Sequence, residues 1–396
     1  MASSINIAAA TPFGRLRNGL ASPARWAERY PLLAGWEWVL LMFVASRVII
    51  FTVIAFARMV FVKADVWHPG GIFSVLLQWD AELWYVGIAR DGYTYDPDFP
   101  SSMGFFPFYP LLIRLFALVF TDMRVAAIMV SHVCLIAAGL IFNALINIDY
   151  KDERIRRTAV TFLMFSPVSF FFSHAYTEST FMMLSMGAFL AAIRRQWLLA
   201  CLLGGCLTAT RNVGMLIGLP LFIEYVRQMW NPALGIRSLI HPRILLFALI
   251  PCGLGLFMLY GHLKFDNPFA YLDATKVWGR KFVMPWHTIL NVTGMPMFYQ
   301  WFFVSVLTGG VLIWIAAFRF KLRASYLVYA SLLIMIYFCG ASLEAIPRYL
   351  TVVFPLFITL GLMATRYPWT HVPILACFVA ILTMCNIMSA IGYWMT

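Results

Sequence analysis

Long apolar runs, separated by short charged or turn-rich segments, are the feature that most constrains how this chain folds. Hydrophobic residues fill 62% of its 396 positions and only 12% of the positions carry charge, whereas about 25% are charged in a typical soluble domain. A helix that crosses a bilayer needs about 20 consecutive apolar residues. Several runs approach or exceed that length, so the sequence predicts an integral membrane protein and excludes a water-soluble fold.

The runs indicate helices rather than the strands of a membrane β-barrel. Barrel strands alternate in polarity over about ten residues, but residues 135–146 and 327–338 are apolar almost throughout. We therefore predict an all-α polytopic membrane protein with about eleven transmembrane helices. The predicted spans lie near residues 36–62, 124–147, 158–173, 177–193, 197–210, 213–227, 244–261, 301–318, 325–341, 349–365 and 371–394.

Some apolar segments are too short or too polar to be ordinary spans. Residues 105–120 contain two prolines and Arg114, which favours an interfacial or re-entrant helix that stays on the outer side. The runs 197–210 and 213–227 are also short, and they leave open a re-entrant hairpin with Arg211 at its tip.

The net charge of +12 is distributed unevenly along the chain. A basic excess suggests nucleic-acid binding in a soluble protein, but in a membrane protein Lys and Arg accumulate in cytosolic loops. If the N-terminus is cytosolic, the cytosolic segments are strongly basic, and the outer segments carry nearly equal numbers of bases and acids. We therefore expect no nucleic-acid partner. The long segments 63–123 and 262–300 are then both extracytosolic.

One transmembrane catalytic domain is predicted over residues 36–396. Residues 1–35 precede it as a basic cytosolic segment, and they lack the short apolar core and cleavage site of a signal peptide. All seven cysteines lie inside apolar runs without the spacing of metal ligands. We expect them to pack rather than to bind metal.

The first outer segment holds the densest group of candidate site residues, which are Trp79, Asp80, Trp84, Tyr85 and Tyr93. Asp80 lies among aromatic side chains at the predicted membrane surface. Partial desolvation there raises the proton affinity of a carboxylate toward that of a general base. The alternatives are a helix-capping or solvated carboxylate, and an aromatic belt that only anchors the segment.

Three other outer segments carry the remaining candidates. His174 and Glu178 are four residues apart and are suited to bind a hydroxylated substrate, although they are too few for a zinc site. His174 is alternatively a structural residue. Arg211 ends a short apolar run, and Glu344 and Arg348 lie at the mouth of another. Ionisable residues so near a bilayer are functional candidates by default, and the alternative for each arginine is contact with lipid phosphates.

The candidate residues belong to short motifs that follow one another along the chain. These motifs are Trp79-Asp80, Trp84-Tyr85, Gly92-Tyr93, Phe105-Phe106-Pro107-Phe108-Tyr109-Pro110, Tyr176-Thr177-Glu178-Ser179, Thr210-Arg211 and Pro347-Arg348-Tyr349. In this order they resemble the PIG-V family, which belongs to the GT-C class of glycosyltransferases. The likeness extends from about residue 46 to residue 357, and one departure is Asn212, where the family pattern has proline after the arginine.

The resemblance implies a GT-C-like fold and an inverting glycosyltransferase. The donor would be a polyprenyl-phosphate sugar, with mannose favoured, and Asp80 would be the base in the first outer loop. Arg211 and Arg348 are suited to stabilise the phosphate that leaves, and the other candidates would bind substrate. No metal is required, and a divalent ion is compatible with the scheme. The acceptor would be a glycolipid or another glycan.

The rival interpretation is a transporter or flippase of lipid-linked sugars. Such proteins place ionisable groups near the membrane midplane, whereas here the acids gather at one face and only Arg47 is central. The sequence leaves open whether Arg47 pairs with an acid or reaches toward a phosphate. A bacterial inner membrane is the favoured location, with the endoplasmic reticulum membrane as the alternative.

Overall fold

The computed structural model describes residues 35–61, 71–277, 279, 281–340, 343–393 and 395. The predicted cytosolic segment 1–35 therefore lies outside the described residues except for its last position. The beginning of the first outer segment, residues 62–70, and Trp278 of the second outer segment lie outside them as well.

The described residues are predominantly helical, and their only β-structure is two isolated bridges, which confirms the predicted all-α class. The α-helices in chain order are α1 (Trp36–Phe61), α2 (Gly71–Leu76), α3 (Gly87–Asp91), α4 (Phe108–Phe120), α5 (Met123–Asp149), α6 (Glu153–Met164), α7 (Glu178–Ile193), α8 (Trp197–Thr208), α9 (Gly218–Met229), α10 (Leu249–Phe265), α11 (Ala270–Val277), α12 (Pro285–Asn291), α13 (Met297–Arg319), α14 (Ala324–Phe338), α15 (Ile346–Thr351), α16 (Pro355–Arg366) and α17 (His371–Ala390).

The chain is an integral membrane protein. Within the described part of the chain, five helical segments are long and apolar enough to cross a bilayer: Trp36–Phe61, Met123–Asp149, Pro242–Phe265, Met297–Arg319 and Pro368–Ala390. Helices α4, α7, α8, α14 and α16 are apolar but shorter. The total of about eleven crossings stays a prediction, as does the placement of α4 on the outer side.

Two predicted spans are interrupted. The run predicted at 158–173 leaves the α-helix after Met164 and continues through Pro167 into a 3₁₀ turn at Ser169–Phe172. The run predicted at 349–365 is divided between α15 and α16. Proline has no backbone N–H to continue a helix, and irregular backbone at membrane depth is tolerated where protein buries it. These interruptions place polar side chains inside the helix bundle.

Arg47 of α1 holds the first interruption in place. Its guanidinium is buried and donates hydrogen bonds to the backbone oxygens of Ser169, at 3.0 Å, and Met164, at 3.4 Å. A further bond of 2.6 Å reaches the hydroxyl of Ser173. These acceptors are uncharged, so the contacts match neither alternative that the sequence left open. Arg47 braces the segment that leads to Glu178.

Three segments that the charge distribution assigns to the cytosolic face meet in the structure. Arg323, just before α14, pairs with Asp149 at the end of α5 and lies 3.4 Å from Glu224 of α9. Ser325 also donates a 2.7 Å hydrogen bond to Glu224. Since Glu224 is fully buried, this network both satisfies its charge and ties three helices together.

The two long outer segments pack on each other. Met103 and Phe106 of the first contact Phe257 and Tyr271 around α10 and α11. Tyr95 donates a 3.2 Å hydrogen bond to Asp273, and the hydrogen bond from Lys276 lowers the pKa of the Asp273 carboxyl. The two segments therefore form one layer beside the helices.

Candidate active site

Glu178, at the start of α7, is the centre of a buried charge cluster. Its Oε1 atom lies 3.1 Å from Nη1 of Arg211 and 3.1 Å from Nε of Arg348. The contact with Arg211 is a hydrogen bond, whereas the contact with Arg348 has the distance of an ion pair without hydrogen-bond geometry. The structure thus brings together three of the predicted site residues. We call Glu178, Arg211 and Arg348 the Glu178 cluster.

Arg211 and Arg348 reach Glu178 from two short helical regions of the chain. Arg211 has extended backbone between α8 and a 3₁₀ turn at Asn212–Ile217, and Arg348 lies in the short helix α15. An extended conformation is the one that a residue before proline adopts, and the Asn212 side chain accepts a 2.8 Å bond from the next N–H. The chain therefore turns after Arg211 with asparagine at position 212, and the extended backbone of Arg211 is also the one that a following proline would require.

Aromatic rings line the Glu178 cluster. The guanidinium carbon of Arg348 lies 5.1 Å from the ring centre of Tyr176, and that of Arg211 lies 4.7 Å from the ring centre of Tyr349. Such contacts stabilise a cation where water is excluded. Sequence reasoning did not assign a site role to either tyrosine, although Tyr349 follows Arg348 directly and Tyr176 is two residues before Glu178.

Asp80 adjoins this cluster through Tyr176. The Tyr176 hydroxyl accepts a 3.2 Å hydrogen bond from the Asp80 N–H and donates a 3.4 Å bond to the Gln78 carbonyl. The guanidinium charge of Arg348 acts on Asp80 as well as on Glu178. The Asp80 side chain makes no capping bond to the helical turn that follows it, so the helix-cap alternative does not hold.

Trp79, immediately before Asp80, has backbone in the left-handed region with φ of 57°. A bulky residue rarely adopts this conformation, which costs about 1–3 kcal/mol and persists only where its surroundings enforce it. The Ala175 N–H donates a 3.0 Å hydrogen bond to the Leu76 carbonyl, three residues before Trp79. Segment 173–178 therefore holds the backbone around Asp80 in place.

His174 lies behind this turn. It is fully buried, with its ring centre 6.0 Å from that of Trp79 and 5.5 Å from that of Phe171, and neither ring nitrogen has a hydrogen-bond partner in the described part of the chain. Tyr85 is also buried, and its ring meets that of Tyr176 edge-on at 6.1 Å. Both residues thus belong to the aromatic shell of the site.

Trp84, Tyr93 and Glu344 are the other predicted substrate-binding residues. Trp84 stacks on Phe105 at 5.3 Å, and Tyr93 donates a 2.8 Å bond to the Phe105 carbonyl. Glu344 precedes α15, and its charge acts on Tyr299. Their roles in binding stay predictions.

The described residues contain no group of three or more His, Cys, Asp or Glu side chains able to hold a metal ion. Glu178 is engaged by both arginines, and the charge of Asp80 acts on Arg348. Activity without a metal stays a prediction.

Comparisons with known proteins concern the family and the fold of this chain. A family model described as mannosyltransferase (PIG-V) matches residues 38–380. GPI mannosyltransferase 2 of Drosophila pseudoobscura pseudoobscura is 29% identical over 164 residues, and the match covers 38% of this chain and 35% of the relative. The chain thus spans about a third of the length of that curated relative.

The fold also has a counterpart among solved structures. The apo crystal structure of the oligosaccharyltransferase from Archaeoglobus fulgidus matches with a TM-score of 0.50 at 13% identity, over 90% of this chain and 56% of that chain. At this identity the likeness concerns the fold alone, and it confirms the GT-C-like architecture.

Proposed function

The chain belongs to the PIG-V mannosyltransferase family, and from that premise we propose that it is an inverting glycosyltransferase. It moves a sugar, with mannose favoured, from a polyprenyl-phosphate donor to a lipid-linked or glycan acceptor on the extracytosolic face. The observation that carries the proposal is that Asp80 adjoins a buried cluster of two arginines and one glutamate.

The Glu178 cluster is suited to an anion because its two guanidinium groups share one carboxylate. Nη1 of Arg348 and Oε2 of Glu178 are buried without hydrogen-bond partners among the described residues. A phosphate oxygen would accept a hydrogen bond from the unused N–H of Arg348, and charge-assisted bonds of this kind strengthen as the departing phosphate gains negative charge.

Asp80 is the base in this scheme. The acceptor hydroxyl gives its proton to the Asp80 carboxylate while its oxygen attacks the anomeric carbon of the donor sugar. The bond from that carbon to the phosphate oxygen breaks, and the polyprenyl phosphate leaves with the electron pair. A single displacement inverts the anomeric centre. Glu178 is less suited to this role because protonation would break its ion pairs with Arg211 and Arg348.

The membrane setting supports a lipid-linked donor. The apolar helices keep the protein in the bilayer, where a polyprenyl chain is also soluble. Arg211 and Arg348, the groups that would act on the sugar phosphate, lie where the apolar runs are interrupted. Proximity of donor, acceptor and base then replaces an encounter of three separate species.

The test is transfer of labelled mannose from a short-chain polyprenyl-phosphate mannose by the purified protein in nanodiscs. Asp80→Asn retains size and hydrogen-bonding capacity but does not accept the proton. Transfer should fall by about 10² to 10⁴, the usual contribution of a positioned base, with donor binding retained. Asp98→Asn, at an exposed acid of the same outer segment, is the matched control. Near-normal transfer by a folded Asp80→Asn protein would refute the assignment of the base.

A further inference from the structure

One face of the C-terminal helix α17 is buried, although most of this helix lies on the outside of the bundle. The buried residues recur every three or four positions along its second half, and they are Leu382, Cys385, Asn386, Ser389 and Ala390. Two of them, Asn386 and Ser389, are polar. Polar side chains inside a membrane bundle commonly join helices by hydrogen bonds, so the partners of these two residues show what each one holds.

Asn386 and Ser389 hold different parts of the protein. Asn386 donates a 2.8 Å hydrogen bond to the backbone oxygen of Ile50 in α1, which is an ordinary tie between two helices. Ser389, one turn farther along α17, accepts a 2.6 Å hydrogen bond from Nε2 of Gln78. Gln78 lies in the turn that leads to Asp80, and both partners of this bond are buried. The C-terminal helix is therefore tied directly to the segment of the proposed base.

The Gln78 amide has one anchor among the described residues. Its Nε2 atom donates to Ser389, whereas its Oε1 atom is buried without a hydrogen-bond partner in that part of the chain. Without the Ser389 hydroxyl the whole amide would be buried and unsatisfied, which costs more than an average hydrogen bond contributes. A shift of the turn toward other partners would lower that cost.

The backbone of this turn is strained and depends on such anchors. Trp79, between Gln78 and Asp80, has a φ of 57°, a conformation that persists only where the surroundings enforce it. The Tyr176 hydroxyl bonds to the backbone on both sides of Trp79. Ser389 adds a restraint from a different helix, and it acts on the side chain next to the strained residue. Loss of this restraint lets the turn relax and moves Asp80.

We propose that Gln78 and Ser389 are positioning residues, and that the hydrogen bond between them sets the location of the Asp80 carboxylate during transfer. The inference rests on the proposed function, in which Asp80 is the base. The two arginines of the Glu178 cluster lie on other segments of the chain, so the bond acts on proton removal by Asp80 and not on binding of the donor phosphate. The C-terminal helix thereby contributes to the rate of transfer through the Asp80 turn.

Variants that remove one partner at a time test this role in nanodiscs, with short-chain polyprenyl-phosphate mannose as donor and a synthetic mannosyl glycolipid as acceptor. Ser389→Ala and Gln78→Met should each lower kcat by about 10- to 50-fold, because a displacement of about 1 Å at a catalytic group lowers the rate by up to about 10². The KM for the donor should stay unchanged. Since both variants remove the same bond, the double variant should lose no more activity than the more affected single variant.

Asn386→Leu is the matched control, because it removes the neighbouring hydrogen bond of the same helix and leaves the bond between Gln78 and Ser389 intact. Its kcat should stay near that of the parent. An equal loss of kcat in Asn386→Leu, or a rise in the donor KM of Ser389→Ala, would show that α17 only supports the fold. Near-normal kcat in both Ser389→Ala and Gln78→Met would also refute the positioning role.

Hydrogen exchange separates failure of this inference from failure of the proposed function, because it needs no substrate. Exchange in the peptide 77–86, which contains the Asp80 N–H, should be several-fold faster in Ser389→Ala and Gln78→Met than in the parent, and unchanged in Asn386→Leu. If the parent transferred no mannose but showed these differences, the proposed function would fail and the anchoring of the turn by Ser389 would stand. Parental exchange rates in both variants would contradict the inference even if Asp80 proved to be the base.

Discussion

Removal of the Tyr176 hydroxyl tests whether this side chain positions Asp80 for catalysis. In Tyr176→Phe the ring remains, and with it the contact of 5.1 Å with the Arg348 guanidinium. The variant loses only the hydroxyl, which accepts from the Asp80 N–H at 3.2 Å and donates to the Gln78 carbonyl at 3.4 Å. The change is therefore confined to the turn that carries the proposed base.

The expected loss of stability is small. Both hydrogen bonds are at or beyond the long end of the usual range, so each contributes about 0.5–1 kcal/mol and the free energy of unfolding should fall by about 1–2 kcal/mol. The catalytic effect should be larger because the Trp79 turn, with φ of 57°, is strained and relaxes when a restraint is lost. A displacement of about 1 Å at the base lowers the rate by up to about 10².

Single-turnover transfer and donor binding should be measured on the same preparation. We expect the rate of Tyr176→Phe to fall by about 10- to 100-fold, with donor affinity unchanged because Glu178 and both arginines are untouched. Tyr225→Phe is the matched control, since its buried hydroxyl donates a 2.9 Å bond to Leu239 outside the site. A normal rate in Tyr176→Phe, or an equal loss in Tyr225→Phe, would refute the positioning role.

Three further predictions concern the charge cluster and the topology. Arg211→Ala or Arg348→Ala should each weaken donor binding by about 1.5–3 kcal/mol, the scale of a charge-assisted contact, and unchanged affinity in both would leave them only the structural role of pairing with Glu178. Glu178→Gln leaves two buried guanidinium groups without their shared acid and should lower the free energy of unfolding by about 3–5 kcal/mol; an unaltered denaturation midpoint in detergent would show that the ion pairs contribute little. Single cysteines at positions 98 and 122 should react with an impermeant reagent from the same side, and labelling of Asp98→Cys and Asp122→Cys from opposite sides would mean that α4 crosses the bilayer.

Local sequence signals predicted some of the helix ends and turns. The Asp91-Gly92 pair predicts a helix end, and α3 ends at Asp91 with Gly92 at a φ of 87°. The short apolar runs on either side of Arg211 predict a turn, and Arg211 lies in extended backbone between two helical segments. Such signals depend on residues within one turn of each other, which the sequence displays directly.

Contacts between distant segments were less accessible from the sequence. Glu178, Arg211 and Arg348 were each identified as candidates, but their common ion pair joins residues separated by 33 positions or more. Residue type shows that a buried charge needs a partner and does not show which one. For Arg47 the partners include backbone oxygens. Every residue has a backbone oxygen, so the sequence does not indicate which of them contacts an arginine.

If the site binds the donor phosphate, as we propose, the balance of charge explains why it also contains a glutamate. Two guanidinium groups buried side by side repel each other, and without an anion the cost of desolvating them would favour an opened site. Oε1 of Glu178 contacts both, while Oε2 of Glu178 and Nη1 of Arg348 have no partners among the described residues. In the proposed function, Glu178 holds the arginines in place before the sugar donor binds, and Nη1 of Arg348 keeps an N–H free to bond to the donor phosphate. In the proposed reaction, this fixed arrangement would stabilise the leaving phosphate without having to reorganise during the transfer.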